Sequence, residues 1–412
     1  MQLTFMKATL LSFLSLFPSL CLSHKVQLSR RDRHPLINET TGLLNRDALQ
    51  QHGHFVQARY ARRFPQQAGH RTSRSPKHDS KHVTRAAEQL HVMNPSVGWV
   101  GSMIVGGQEL RVWYDTGSFD IITNGPTYDP DQSDTCYDSG RDFSVQYFVK
   151  RGKIEMLKKT IPDTPADNSN TRGHVYYETI SIAGLVGSGV AIGASESRLD
   201  RLEEDAIAGM GPYLHSSSTF GPNSRSFPYA LKRSGAIQRG MFAFSLSKTG
   251  YSELSFGNYN TGLMRGGIQW VPLLRDKIWW TVQGNFLGRN LKMMVDSGTT
   301  YLTLETNLFF DTVGRIPGVT VTRWGDHYIG LYDCRYPPQG IAISFGSMRF
   351  PIDGDLLAAW RWDYWRCVLP VMSMDHLKPD MPMVAGEILF QRSYIVFDFD
   401  NFQMGFAQRA YR

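Results

Sequence analysis

The hydrophobic pattern changes twice along the chain. An apolar run over residues 8–22 follows Lys7 and ends at the small residue Ser23, a pattern typical of a signal peptide rather than of a membrane span. Residues 24–92 have few aliphatic side chains and no sustained period, which predicts an exposed or disordered segment. From Gly98 onward, short apolar runs are separated by Gly, Asn and Asp, as in a protein built from short strands.

Alternation with period two marks the strands of this last part. The stretch "GWVGSMIVGGQELRVWYD" predicts a hairpin that turns at residues 106–107, and "SYIVFDFDNFQMGF" predicts another that turns at residues 400–401. Long amphipathic helices are scarce, and "ETNLFFDTVGRI" is one short helix candidate. The 38 glycines and the many aromatic residues also favour β structure. The predicted fold class is mostly β.

Two further patterns have ordinary explanations. In "AAWRWDYWRC", Trp360, Trp362 and Tyr364 alternate, so a strand would place them on one face; packing in the core is favoured over a platform for substrate. His78 and His82 have a helical metal-ligand spacing, but they lie in the polar segment before the globular part. No metal site is predicted.

The organising feature is a repeated motif. Three bulky residues precede "DTGS", which begins at Asp115, and three more precede "DSGTT", which begins at Asp296. Downstream, "AIAG" ends at Gly209, 94 residues after the first aspartate, and "MVAG" ends at Gly386, 90 residues after the second. One Asp-Thr-Gly is a weak signal because Asp and Gly are common turn residues. Two copies with matching flanks and spacing predict two equivalent halves.

Two equivalent loops brought together by a pseudo-twofold axis would place Asp115 and Asp296 side by side. Two carboxylates in such contact cannot both ionise easily, so they share one proton. The ionised carboxylate can take a proton from a bound water while the protonated one donates to a carbonyl oxygen. Water then adds to an amide without a metal, a cofactor or a covalent intermediate. The two aspartates are therefore the predicted catalytic residues.

The neighbours of each aspartate have side chains suited to supporting it. The predicted supporting residues are Thr116, Gly117, Ser118, Ser297, Gly298 and Thr299. The glycines allow tight turns that leave the carboxylates exposed. The hydroxyl three residues after each aspartate can donate a hydrogen bond to it, and the hydroxyl directly after each aspartate can fasten one loop to the other.

From Gly98 to the C-terminus, the order of motifs resembles the pepsin-like aspartic proteases. The matching pieces are "GSMIVGGQ", "YDTGS", "FSVQY", "GHVYYETISIAG", "DAIAGMG", "LSFGNYN", "WVPL", "VDSGTT" and "RSYIVFDFDNFQMGFA". The resemblance implies a two-lobed β-barrel fold with pseudo-twofold symmetry around a cleft, and Asp115 and Asp296 as the catalytic pair. It implies an extended polypeptide substrate, a monomer, and a flap over the cleft that carries Tyr147.

Three positions depart from the family pattern. The flap glycines are absent after Tyr147, where a longer charged stretch follows; Ile122 stands where the family has tryptophan; and Ala385-Gly386-Glu387 replaces Leu-Gly-Asp. These departures leave an alternative open, namely a catalytically impaired peptide- or protein-binding protein on the same scaffold. A third possibility, an unrelated β-sandwich adhesin, requires the repeat to be accidental.

The formal net charge of +7 is unevenly distributed. Residues 24–92 carry 13 Lys and Arg against five Asp and Glu, together with eight of the 12 histidines, whereas residues 93–412 carry 30 against 32. Nucleic-acid binding by the globular part is therefore not predicted. A basic pro-segment that inhibits the enzyme intramolecularly is favoured over a simple linker, with candidate dibasic cleavage points at Arg30-Arg31 and Arg62-Arg63. The predicted segments are a signal peptide (1–23), the pro-segment (24–92), an N-terminal lobe (93–265) and a C-terminal lobe (266–412).

Cysteine usage agrees with export. Cys21 leaves with the signal peptide, and Cys334 and Cys367 could close a loop across 33 residues that is worth about 3–4 kcal/mol. Cys136 is then odd, and it is buried, free or bonded to another molecule. Asn38, in "NET", is the only glycosylation sequon. With no hydrophobic anchor at the C-terminus, the prediction is a secreted, extracellular zymogen rather than a vacuolar one.

Overall fold

The computed structural model describes part of the chain, with gaps between the described ranges. The described residues are 24–27, 29–30, 87–88, 99–146, 170–198, 204–212, 220, 224–248, 250–274, 279–358, 360–375, 377 and 381–410. The predicted signal peptide, Asn38, Arg62-Arg63, the pair His78 and His82, and Tyr147 lie outside the described residues.

Strands dominate the described part of the chain, which confirms the predicted fold class. The first twelve strands are β1 (His24–Gln27), β2 (Ser29–Arg30), β3 (Ala87–Glu88), β4 (Trp99–Val105), β5 (Gln108–Asp115), β6 (Ile121–Thr123), β7 (Tyr137–Gln146), β8 (Asn170–Ile182), β9 (Leu185–Ser195), β10 (Ala206–Gly209), β11 (Met241–Ser245) and β12 (Glu253–Phe256). The other twelve are β13 (Met264–Pro272), β14 (Thr281–Phe286), β15 (Arg289–Val295), β16 (Leu302–Leu304), β17 (Thr320–Trp324), β18 (His327–Asp333), β19 (Ala342–Phe345), β20 (Met348–Pro351), β21 (Arg366–Ser373), β22 (Met383–Ala385), β23 (Ser393–Asp398) and β24 (Gln403–Arg409).

The helices of the same part are short. The α-helices are α1 (Phe227–Arg233), α2 (Thr306–Thr312), α3 (Asp355–Ala358) and α4 (Glu387–Phe390). Single 3-10 turns lie at Pro130–Gln132, Thr261–Leu263 and Val313–Arg315. Within the described residues, no helix has both the length and the apolar character needed to cross a membrane.

In the part of the chain that the structure describes, three sheets build two lobes. An eight-stranded sheet in the order β2-β4-β5-β10-β6-β9-β8-β7 forms the N-terminal lobe, and a nine-stranded sheet in the order β17-β18-β21-β16-β22-β15-β14-β19-β20 forms the C-terminal lobe. A seven-stranded sheet in the order β13-β24-β23-β11-β12-β1-β3 combines strands from both halves of the chain. This is the two-lobed β architecture that the resemblance implied. The division predicted between residues 265 and 266 falls inside β13, in the shared sheet.

The start of the predicted pro-segment contributes backbone pairing to these sheets. All four residues of β1 pair antiparallel with β12, from His24 opposite Phe256 to Gln27 opposite Glu253. β2 pairs with β4, where Arg30 lies opposite Trp99. The composition predicted an exposed or disordered segment, but the first residues of the segment pair with strands of two sheets. This pairing is possible because backbone hydrogen bonds do not require apolar side chains.

The predicted hairpins and the short helix are confirmed. β4 and β5 are joined by a two-residue turn in which Gly106 (φ 55°) and Gly107 (φ 82°) both adopt positive φ, as the tight turns of hairpins require. β23 and β24 pair on either side of residues 399–402. In α2, the Glu305 side chain accepts hydrogen bonds from the first free amides of the helix and so caps its N-terminus.

Cys334 and Cys367 form the predicted disulfide, and Cys136 is a free, half-buried thiol. Trp360 and Trp362 are buried in a cluster with Tyr301, so the core interpretation holds for them.

The core interpretation is wrong for Tyr364, which is 71% exposed. Residues 362–365 form a turn rather than a strand, because the Asp363 carboxylate accepts hydrogen bonds from the amides of Trp365 and Arg366. The alternation therefore does not continue past Trp362.

Candidate active site

The first aspartate lies at the end of a buried strand. The apolar side chains of β5 sink into the core, and the chain leaves the strand at Asp115 to form a short loop that returns as β6. β10 lies between these two strands, parallel to β5 and antiparallel to β6, with Gly209 opposite Asp115. The loop is thus framed on both sides by strands of one sheet.

The second aspartate has the same setting. Asp296 follows the last residue of β15, and the loop after it returns as β16. β22 lies between these strands, parallel to β15 and antiparallel to β16, with Ala385 opposite Val295. The repeat in the sequence therefore corresponds to a repeat in the topology.

Each carboxylate is held by two donors of its own loop. Asp115 accepts from the Gly117 amide (2.8 Å, Oδ1) and from the Ser118 hydroxyl (2.5 Å, Oδ2). Asp296 accepts in the same way from the Gly298 amide (2.9 Å, Oδ1) and from the Thr299 hydroxyl (Oδ2). The two aspartates are 3% and 0% exposed, so the loops bury them, whereas the sequence suggested exposed carboxylates. Donors aimed at a buried carboxylate fix its orientation and stabilise its charge.

The two loops are joined by reciprocal hydrogen bonds. The Thr116 amide donates to the Ser297 hydroxyl (3.0 Å), and the Ser297 amide donates to the Thr116 hydroxyl (2.9 Å). Each hydroxyl then donates to a backbone carbonyl of the opposite loop, Thr116 to Val295 (3.1 Å) and Ser297 to Tyr114 (2.8 Å). Four buried bonds thus connect the residues directly adjacent to the aspartates. The structure thus brings together the two predicted catalytic aspartates and their six predicted supporting residues, whereas Tyr147 lies outside the described residues.

Two glycines let a strand lie against each loop. A Cβ added to Gly209 would overlap the backbone of Phe119 and Asp120, and one added to Gly386 would overlap the carbonyl oxygens of Thr299 and Tyr301. Both positions therefore need glycine for close backbone approach. The "AIAG" and "MVAG" stretches found in the sequence owe their last residue to this packing.

We expect replacement of Thr116 by Val to destabilise the protein. Valine has nearly the shape of threonine, but it removes the acceptor of the buried Ser297 amide and the donor to the Val295 carbonyl. A buried polar group left without its partner costs about 1–3 kcal/mol, so the free energy of unfolding in urea should fall by about that amount.

Thr303 provides a matched control for this change. It is buried in β16, and within the described residues its hydroxyl makes no hydrogen bond. Thr303→Val should therefore leave the free energy of unfolding unchanged or raise it slightly. Equal losses in the two variants would contradict a stabilising role for the hydrogen bonds between the loops.

Sequence reasoning missed residues that brace the Asp115 loop from the other half of the chain. The Trp280 indole donates to the Met210 carbonyl (2.8 Å), and the Met210 amide in turn donates to the Asp115 carbonyl (2.8 Å). The neighbouring Trp279 ring packs on Phe119 with centroids 4.8 Å apart. The clue to these contacts in the sequence was the pair "WW", which lies directly before a strand that leads towards the second aspartate motif.

Two departures from the family pattern are accommodated by burial. Ile122 is buried in an apolar cluster with Val100 and Trp113. Its hydrocarbon side chain contains no hydrogen-bond donor for a flap. Glu387 is buried beside the Asp296 loop, and its amide donates to the Thr299 carbonyl (2.7 Å). Burial, together with the charge of Glu387, raises the pKa of the Tyr301 hydroxyl well above its usual value. Tyr301 therefore stays neutral.

Comparison with known proteins agrees with this site. The family model described as "Eukaryotic aspartyl protease" matches residues 100–409. Secreted aspartyl protease 1 of Malassezia globosa is 24% identical over 310 residues, which cover 75% of this chain and 73% of that protein. An aspartic protease of Phaffia rhodozyma is 26% identical over 75% of this chain and 76% of its own length. Penicillopepsin-1 of Penicillium janthinellum is 22% identical over 76% and 95%, respectively.

Proposed function

Because the chain belongs to the eukaryotic aspartyl protease family and is an aspartic-type endopeptidase, we propose that it hydrolyses peptide bonds with a water activated between Asp115 and Asp296. The observation that carries this proposal is the reciprocal bonding of Thr116 and Ser297, which joins two loops of the same construction. The matching donors to each carboxylate support equivalent roles for the two aspartates.

The proposed reaction needs only these two acids and water. The ionised aspartate takes a proton from the water as the water oxygen bonds to the peptide carbonyl carbon, and the protonated aspartate donates its proton to the carbonyl oxygen. The tetrahedral adduct then returns its hydroxyl proton to one carboxylate. The other carboxylate protonates the nitrogen as the C–N bond breaks. The pair ends with one shared proton, as it began.

The substrate of this reaction is an extended polypeptide, and the enzyme acts as a monomer in an acidic medium. Two carboxylates share a single proton in acid, where the pair is neither fully ionised nor fully protonated. Tyr147 closes over the substrate as part of a flap. Ile122 stands where the family has a tryptophan, and its side chain has no polar atom that could form a hydrogen bond with this flap.

We also propose export as a zymogen, in which residues 24–92 block the cleft. The excess of basic residues in this segment, the apolar run before it and the pairing of β1 with β12 support the proposal. Arg30 lies in a paired strand, and proteolysis favours exposed loops over paired strands, which favours Arg62-Arg63 as the cleavage point. The name of the Malassezia globosa relative is consistent with secretion to the outside of the cell.

The rival function is peptide or protein binding by an inactive relative. It would not need both aspartates with all of their donors, and the chain retains every one of them. The third possibility, an unrelated β-sandwich adhesin, is wrong because the family model covers both aspartate motifs in one match.

Transfer of the full-length chain from neutral pH to about pH 3–5, where a carboxylate pair shares a proton, should start activation. We expect acid to protonate the histidines of residues 24–92 and the carboxylates that bind this segment, which weakens the binding of the pro-segment to the rest of the chain. On a gel, we expect the chain to shorten by cleavage near residues 63–92 and then to degrade an added denatured protein.

The outcomes separate the proposals. An intact chain that degrades the added protein would contradict the zymogen proposal alone. A shortened chain that leaves the added protein intact would favour the binding function. A chain that neither shortens nor cleaves at any pH would contradict both proposals.

A further inference from the structure

Three exposed aromatic side chains cluster beside the disulfide of the C-terminal lobe. Tyr336, Tyr364 and Trp365 are 73%, 71% and 57% exposed, and they lie just outside the ends of β18 and β21. The Cys334 amide donates to the Trp365 carbonyl (2.9 Å), which joins the two strand ends next to the disulfide. With Arg335 these residues form what we call the aromatic ridge. Clustered exposed aromatics usually mark a binding surface.

The planar groups of the aromatic ridge lie in a continuous row. The Arg335 guanidinium lies 5.5 Å from the centroid of the Tyr336 ring and 5.1 Å from that of Trp365. Tyr364 continues the row, with its ring 4.6 Å from that of Trp365 and nearly perpendicular to it. The attraction between a cation and the face of an aromatic ring stabilises each of these two contacts even at an exposed site.

Ion pairs and turn contacts hold the row in place. Asp333 binds Arg335 through both carboxylate oxygens, at 3.0 Å to Nε and 2.6 Å to Nη2. Asp363 accepts from the Trp365 amide (3.0 Å) and pairs with the Arg366 guanidinium (2.6 Å). The bidentate pair of Asp333 and Arg335 restricts the motion of the Arg335 side chain. The side chains of the aromatic ridge are therefore already ordered, so ordering them on binding of a ligand costs little entropy.

Charge on the aromatic ridge is largely balanced. Arg335 faces Asp333 and Arg366 faces Asp363, whereas Arg361 donates to the Tyr364 carbonyl (3.3 Å). The hydrogen bond from Arg335 lowers the pKa of Asp333 to about 2, so this pair persists in acid. For Asp363, slight burial opposes ionisation, but the hydrogen bonds from Arg366 and Trp365 outweigh it and lower the pKa.

We propose that the aromatic ridge binds a neutral carbohydrate chain. The C–H groups on the flat face of a pyranose ring carry partial positive charge and pack against the negative face of an aromatic ring. Sugar hydroxyls both donate and accept, and the Arg–Asp pairs beside the rings offer both kinds of partner. The row spans several rings, which suits consecutive sugar units.

Other partners fit these residues less well. A polyanion would meet the carboxylates of Asp333 and Asp363 next to each arginine, and a lipid surface would have to bury those same carboxylates at a high cost. A row of four side chains is also much smaller than the roughly 800 Å² per partner of a stable protein interface. The proposal does not depend on the proposed function of Asp115 and Asp296.

Co-sedimentation of the full-length chain with insoluble neutral polysaccharides tests the proposal. We expect the wild type to pellet with at least one of cellulose, chitin and a β-1,3-glucan. The double variant Tyr364→Ala/Trp365→Ala should bind about tenfold more weakly, the loss expected for about 1.4 kcal/mol of lost binding energy. Tyr137→Ala removes an aromatic ring that is 68% exposed elsewhere on the surface, and it should bind as the wild type does.

The proposal is overturned if the wild type pellets with none of the three polysaccharides, or if the double variant binds like the wild type. It is also overturned if the double variant unfolds at the same urea concentration as the wild type but loses a different property, namely binding to lipid vesicles, self-association or hydrolysis of soluble peptides. In those cases the aromatic ridge would serve a membrane, a second copy of the chain or the polypeptide substrate.

Discussion

Asp115→Asn and Asp296→Asn are each expected to reduce peptide hydrolysis by roughly 10²–10⁴-fold, the usual contribution of a positioned acid or base. An asparagine oxygen can still accept from the Gly117 or Gly298 amide, so the loop keeps its shape. The amide cannot exchange a proton with water or with the peptide. One remaining carboxylate cannot act as base and acid in the same step.

The expected equivalence of the two variants is the sharper part of this prediction. Because both aspartates have the same donors and the same strand setting, we expect the two replacements to reduce activity to a similar extent. Initial rates on a denatured protein or a fluorogenic peptide would measure the loss. Asp131→Asn, at an exposed carboxylate in the turn at Pro130–Gln132, is the matched control and should keep full activity.

Two outcomes would contradict the interpretation that the lost activity reflects lost catalysis at both aspartates. If one variant keeps wild-type activity, that aspartate is not part of a catalytic pair. If both variants lose activity but unfold at a much lower urea concentration than the wild type, the loss reflects folding. Asp131→Asn and the Thr116→Val variant would then be needed to separate stability from chemistry.

The arrangement of the two aspartate loops could be predicted from the sequence because each loop depends on local turn chemistry, which the chain repeats twice. An aspartate at a strand end, a glycine two residues later and a hydroxyl three residues later define each loop without reference to distant residues. The close approach that requires Gly209 and Gly386 was visible as a matching spacing, because each half repeats the same strand order.

What the sequence could not predict depends on non-local contacts. Trp280 donates to the Met210 carbonyl across 70 residues, and no periodicity in the sequence indicates such a bond. The pairing of β1 with β12 joins segments about 230 residues apart, so composition alone suggested a free tail. At Tyr364 the alternation was real, but the Asp363 turn ended it before the third aromatic residue.

The double replacement Cys334→Ala/Cys367→Ala is expected to lower the free energy of unfolding by about 3–4 kcal/mol, as the chain-entropy model gives for a closed loop of this length. The disulfide closes a loop across 33 residues, and opening it gives the unfolded chain more conformations. The folded state should change little, since Tyr332 and Cys367 remain paired through the backbone of β18 and β21. Urea unfolding under oxidising conditions would measure the loss.

Cys136→Ala separates the cross-link from the sulfur atom. Cys136 is a free, half-buried thiol, so its replacement removes one cysteine side chain, as each change in the double variant does, but opens no loop. We expect the free energy of unfolding to change by about 1 kcal/mol or less. Similar losses in the two variants would contradict the entropic argument. If instead only the double variant is destabilised and reductant lowers the wild type to the same level, then the cross-link itself supplies the stability. The strand ends that carry the aromatic ridge would then owe part of their order to it.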